Sequence, residues 1–171
     1  MARRGIRSKF ALLLGLALPF IWAYTCFFAL QVMSHTSMPL SVVISDSMVP
    51  ALHRGDLILS EGWSAPAVDD IVLYRFGAME NTVVHRVIKD DGGLLTQGDA
   101  NRPDDRRIYD AAEPGRRRLR PEDVHGTVYF RLPFVGFLTI WFREYYLLSV
   151  PLLALWVWWE ARGHGIEVAD L

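Results

Sequence analysis

The chain has 171 residues, 51% of them hydrophobic and 22% charged, and its formal net charge at pH 7 is -1. An ordinary charged fraction beside so much apolar residue is the composition of a polar domain mounted on one or two greasy segments. Near-zero charge, with arginines that lack interleaved aromatics, excludes a nucleic-acid binder, and the single cysteine, Cys26, excludes a disulfide framework and a cysteine-based metal site.

Residues 1–9 form a basic tail carrying Arg3, Arg4, Arg7 and Lys9 and no acid. Residues 10–33 hold no charge and only Thr25 and Gln31 as polar side chains. About 20 apolar residues cross a bilayer as a helix, so this run suffices for a transmembrane anchor. Its basic leading flank predicts a cytoplasmic N-terminus and a following domain on the other side. A cleavable signal peptide is the competing explanation. The length of the run and the want of a clear small-x-small site after it favour a retained anchor.

Residues 34–143 are expected to form an extracytoplasmic β domain, opened by a polar, extended spacer over 34–41. Strands are predicted over 42–44 and 57–60, with Arg54-Gly55-Asp56 as a tight connection, and over 70–76. Residues 82–88 alternate and are β-branched, which makes a strand carrying His85. Asp90-Asp91-Gly92-Gly93 turns the chain into a hairpin with 94–97. Residues 98–121, punctuated by Pro103, Pro114, Gly115 and Pro121, predict a long loop whose arginines, 116–118, make a solvated face. Strand character returns over 124–130, and a compact apolar turn then leads into 137–142, a segment suited to lie on a membrane. Residues 144–160 enclose an uncharged run with Trp156, Trp158 and Trp159 as interfacial anchors, and predict a second transmembrane helix before a tail, 161–171. The expected fold class is mainly β, an all-β domain flanked by membrane helices.

The chemistry centres on Ser45-Asp46-Ser47-Met48-Val49-Pro50, a serine-rich turn delivered by the apolar run 42–44. A serine hydroxyl is a weak nucleophile until a base takes its proton, and that base needs an orienting acid. His85 is the candidate base, and Asp99, Asp104 and Asp105 are the candidate acids. Ser45 is placed to give a second hydrogen bond to an oxyanion at Ser47. His35, His53, His125 and His164 lack metal-ligand spacing and are expected at the surface. On the residues alone, a serine hydrolase and a small β domain with surface polar groups both stay open.

A resemblance adds to this. Ser45-Asp46-Ser47-Met48-Val49-Pro50 resembles the S-x-S-M-x-P signature of type I signal peptidases. Arg54-Gly55-Asp56-Leu57-Ile58, Asp70-Ile71-Val72-Leu73-Tyr74, Val84-His85-Arg86-Val87-Ile88 and Gly98-Asp99-Ala100-Asn101 through Asp104-Asp105 are similar to the boxes that follow it, in the family's order. Housekeeping bacterial members carry Lys-Arg where this chain has His85-Arg86, so the likeness is to the Ser-His-Asp branch of the endoplasmic reticulum, archaea and some bacteria. The resemblance implies Ser47 as nucleophile, His85 as general base and Asp105 as orienting acid, with Asp99, Ser45 and Arg86 in support and Met48 in the wall of the substrate site. It also implies a signal-peptidase-like β fold, no metal or other cofactor, and exported preproteins as substrates cleaved after small residues. Membrane lipids and accessory membrane subunits are the other expected partners. The expected place is a cell membrane, or the endoplasmic reticulum membrane in a eukaryote, with the β domain on the extracytoplasmic face. A processing peptidase for a few dedicated precursors and a catalytically silent binding protein of the same fold are the alternatives. Asp46 stands where many members have glycine, and its carboxylate would oppose an oxyanion unless turned away.

Overall fold

The structure, a computed structural model, describes residues 2–163, and the side chains of residues 15, 17–145 and 150–159. His164 and most of the expected tail lie outside it. The N-terminal run forms one long helix, α1 (Ala2–Ser34), with Pro19 inside it. Its segment Ala17–Ser34 is long and apolar enough to cross a membrane and is almost wholly unburied by the rest of the chain.

Six strands follow, β1 (Leu40–Val42), β2 (Leu57–Glu61), β3 (Ile71–Tyr74), β4 (Val83–Asp90), β5 (Leu94–Gln97) and β6 (Val124–Leu132). They make one antiparallel sheet in the order β1-β2-β6-β3-β4-β5. Successive side chains of a strand face opposite ways, and β3 uses both faces. Val72 and Tyr74 enter a cluster with Phe76, Val87, Leu95, Tyr109 and Leu119. Leu73 enters a second with Val43, Met48, Leu52 and Ile58. A strand buried on both sides explains why 70–74 is a nearly unbroken apolar run rather than an alternating one.

The last turn of α1 is keyed to the sheet. Gly62 N–H donates to Ser34 O at 2.8 Å, Thr36 Oγ1 donates to His125 O, and the tilted rings of His35 and Trp63 meet with their centroids 3.8 Å apart.

Three expectations need correction. The first strand lies at 40–42 rather than 42–44, because Val43 bonds the turn backbone of Gly55 and Asp56 at 2.8 and 2.9 Å. The presumed loop 98–121 contains a helix, α2 (Arg106–Ala112), which buries Tyr109. The run 116–118 is not a solvated face throughout. The Arg116 side chain is 8% exposed, sits over the Phe76 ring at 4.1 Å and pairs with Asp123 and with Glu113. A buried guanidinium is tolerable when its donors are this fully engaged. Among the expected surface histidines, His35 and His53 are exposed while His125 is half-buried.

Beyond β6 come α3 (Phe137–Glu144) and α4 (Tyr146–Gly163). α3 buries Ile140 and is tied to the turn before β2 by an Arg54–Glu144 ion pair at 2.6 Å. Phe134, Val135, Leu138, Trp141 and Phe142 around it are all exposed, an apolar patch of a kind that soluble surfaces seldom carry. The apolar stretch of α4 runs over Val150–Trp159, shorter than the roughly 20 residues of a full span.

Candidate active site

The site is assembled on one face of the sheet. Tyr74, His85 and Thr96 come from the neighbouring strands β3, β4 and β5, with Val72 opposite His85 and Val87 opposite Thr96. Gly98 then turns the chain back over that face, and Asp105 follows at the start of α2. A helix N-cap aspartate ordinarily spends its side chain on the first-turn N–H groups. Asp105 makes no such bond, and its carboxylate goes to the sheet instead.

Ser47 lies in the turn after β1, with its Oγ 3.1 Å from His85 Nε2. His85 Nδ1 is 2.6 Å from Asp105 Oδ2. The carboxylate accepts, so the imidazole carries its proton on Nδ1 and leaves the Nε2 lone pair to the serine. His85 is 4% exposed and Asp105 1%, which keeps water from competing for the link. Two short turn contacts hold the serine in place. Ala100 N–H donates to Ser47 O at 2.9 Å, and Gly98 passes so close that an added Cβ would stand 2.7 Å from Ser47 O and 2.8 Å from His85 Nε2.

Ser45 Oγ lies 3.3 Å from Ser47 Oγ, and the Ser47 backbone N–H has no internal acceptor among the described residues. The Ser45 hydroxyl stands beside the nucleophile and the Ser47 N–H is unengaged, so both can meet a developing oxyanion. Asp46 points away: its Oδ1 accepts the Arg54 N–H at 3.1 Å. Met48 is 1% exposed and helps to wall a cavity of about 270 Å³ that opens on Ser47 and His85. The cavity lies between residues 42–44 on one side and 82–84 on the other, with Ile108 and Asn101 closing it. β5 pairs only with residues from Arg86 onward, so Val83 and Val84 keep an uncovered backbone edge facing this slot.

Arg86, next to His85, points to the opposite face. It makes a bidentate pair with Asp99, Nε to Oδ1 at 2.9 Å and Nη2 to Oδ2 at 2.7 Å, and donates to Asp69 O. That pairing raises the guanidinium's already high pKa. Asp104, the remaining candidate acid, pairs with Arg106 at 2.7 Å. Among the described residues no group of three His, Cys, Asp or Glu side chains is arranged to hold a metal ion. A larger cavity of about 490 Å³, lined by Asp90, Arg117 and Arg118, is built from other residues than the site.

Sequence reasoning missed Tyr74, Thr96, Tyr109 and Ile108. Tyr74 and Thr96 bond the Asp105 carboxylate, Tyr109 bonds Thr96 behind it, and Ile108 reaches the slot from the unforeseen helix. The available signal was the apolar Ile108-Tyr109 pair inside an otherwise polar stretch.

No family model matches the chain. Individual relatives do. A signal peptidase complex catalytic subunit SEC11 of Metarhizium acridum is 35% identical over 157 residues, which is 87% of this chain and 90% of that one. The subunit of the same name from Pyrenophora tritici-repentis is 37% identical, covering 87% and 89%. The SEC11C subunit of Canis lupus familiaris is 36% identical, covering 86% and 76%. Identity at this level over nearly the whole chain, joined to a serine, histidine and aspartate in line, places the chain in the family of signal peptidase catalytic subunits.

Proposed function

We propose that the protein is a membrane-bound serine endopeptidase that removes signal peptides from exported preproteins, cleaving after small residues. The observation that carries this is the line Ser47 Oγ, His85 Nε2, His85 Nδ1, Asp105 Oδ2, with links of 3.1 and 2.6 Å, opening on a slot bordered by an unpaired strand edge. An extended peptide laid between residues 42–44 and 82–84 adds a strand to the sheet, and its main-chain groups supply the binding. A slot of about 270 Å³ walled by valines, Ile44 and Ile108 favours short apolar side chains.

Ser47 Oγ attacks the scissile carbonyl while His85 Nε2 takes the serine proton, and Asp105 stabilises the imidazolium. The Ser47 N–H and the Ser45 hydroxyl receive the oxyanion. Collapse breaks the C–N bond, and His85 returns the proton to the leaving amine. Water activated by His85 then frees the acyl-enzyme.

α1 anchors the chain with the β domain on the extracytoplasmic face, α3 lies in the lipid interface through Leu138, Trp141 and Phe142, and α4 serves as a second membrane helix. A substrate held in the same bilayer meets the site at a raised effective concentration. The relatives are named as subunits of a complex, and accessory membrane subunits are the partners this suggests.

The test is cleavage of a preprotein by the detergent-solubilised full chain. Ser47→Ala is expected to lose about 10⁴-fold or more of the activity. Cleavage at the wild-type rate by a folded Ser47→Ala protein would refute the assignment. Cleavage confined to a few of many precursors would favour a dedicated processing enzyme.

A further inference from the structure

Asp105 does more than meet His85. Its Oδ2 lies 2.6 Å from His85 Nδ1, 3.0 Å from the Tyr74 hydroxyl and 2.5 Å from Thr96 Oγ1, while Oδ1 accepts nothing among the described residues. The proton directions follow from the donors available. The Thr96 backbone N–H donates to the Tyr109 hydroxyl at 2.9 Å, which leaves the Tyr109 proton for Thr96 Oγ1 at 2.7 Å. The threonine proton then goes to Asp105. The series runs one way, from the Thr96 amide through Tyr109 and the Thr96 hydroxyl to the carboxylate.

All of it is dry. Tyr74, Thr96 and Tyr109 are 0% exposed. Burial, with the Asp105 charge adding to it, pushes the Tyr74 phenol far above its ordinary range, and burial pushes Tyr109 up to about 12. Both remain donors at any working pH. Three hydrogen bonds converge on one oxygen of Asp105, which fixes that oxygen in place and shares its electron density among the three donors.

We infer that Tyr74, Thr96 and Tyr109 are positioning residues, clamping the Asp105 carboxylate and so fixing the orientation of His85 and its readiness to accept the Ser47 proton. The inference rests on the roles proposed above for Ser47, His85 and Asp105. Its consequence is directional. Remove one donor, and Oδ2 draws more strongly on the Nδ1 proton, which favours the imidazolium that forms when Nε2 takes the serine proton. The pH profile of the reaction then moves upward.

The experiment is the pH profile of kcat/KM for the full chain in detergent, with a preprotein whose signal segment ends in Ala-x-Ala. Wild type is compared with Tyr74→Phe, Thr96→Val, Thr96→Ser and Tyr109→Phe, and with Ser47→Ala as the blank. Tyr74→Phe, which keeps the ring, is expected to lower kcat about tenfold with KM unchanged, and to move the acid limb up by about half a pH unit or more. Thr96→Val breaks two links and moves it further, Tyr109→Phe moves it less, and Thr96→Ser restores the wild-type profile. If Thr96→Val does not fold, Tyr74→Phe and Thr96→Ser decide alone. An unmoved acid limb in folded Tyr74→Phe, even with a reduced kcat, would reduce these residues to packing and overturn the inference. A Ser47→Ala protein that still cleaves would instead overturn the catalytic roles beneath it, so the two failures are told apart.

Discussion

His85 and Arg86 are consecutive on β4, and each holds an aspartate from the same excursion of chain. The strand's pleat sends them to opposite faces of the sheet. His85–Asp105 is sealed, its side chains 5% and 2% exposed, whereas Arg86–Asp99 is 29% and 18% exposed. The outer pair is bidentate, faces solvent in part, and fastens the beginning of the excursion. The inner pair fastens its end and has no water to replace a lost partner. Two bonds of similar length therefore differ in kind: one is a staple, screened and replaceable, and the other is a sealed link that solvent does not reach. The dry pair is the one that contains the proposed base and meets Ser47.

The sharpest way to break that contrast is Asp105→Asn. It keeps the shape of the side chain but offers an amide donor or a neutral acceptor to Nδ1, disfavouring the needed tautomer. A fall of about 10⁴-fold in kcat is expected, with the fold retained by circular dichroism. A fall of less than tenfold would place the orienting acid elsewhere.

Gly98→Ala should come next. A methyl 2.7 Å from Ser47 O and 2.8 Å from His85 Nε2 must push the two apart. A displacement near 1 Å costs about a hundredfold in rate, and single-turnover cleavage would register it. Normal turnover would mean that the excursion carrying Gly98 yields freely, against its bonds to Ser47 and Thr96.

Asp99→Asn should do least. Loss of a part-exposed bidentate pair is expected to cost about 1 kcal/mol of stability, read as a few degrees in the thermal midpoint, and no more than several-fold in kcat. Added salt should blunt the difference between Asp99→Asn and wild type but leave the defect of Asp105→Asn unchanged. If salt affected both alike, the distinction between a wet and a dry pair would fail.

The strands were legible because period-two alternation and Gly-Asp turns are local signals, and the serine turn and the His85 strand came with them. No local pattern chose among the three candidate acids; the family resemblance singled out Asp105, and in the fold Asp99 and Asp104 have arginine partners while Asp105 is buried against His85. Helix α2 escaped notice because seven residues hemmed by Pro103 and Pro114 are too few to display a helical period. The network of donors leading to Asp105 was invisible for a plainer reason. It gathers residues 74, 96 and 109 from two strands and a helix, and no spacing encodes such a meeting.

The uncovered edge at Val83 and Val84 has a consequence for whatever enters the slot. A helix advances about 1.5 Å per residue and keeps its N–H and C=O groups to itself, whereas a strand advances about 3.3 Å and turns them outward. Only the second can pair with that edge. The apolar core of a membrane-inserted precursor is helical of necessity, so any residues about the cut that continue that helix must come undone before the proposed strand pairing can form. Selection then falls on how readily a segment unravels as well as on the size of its side chains. The enzyme becomes a gauge of where its substrate's helix stops.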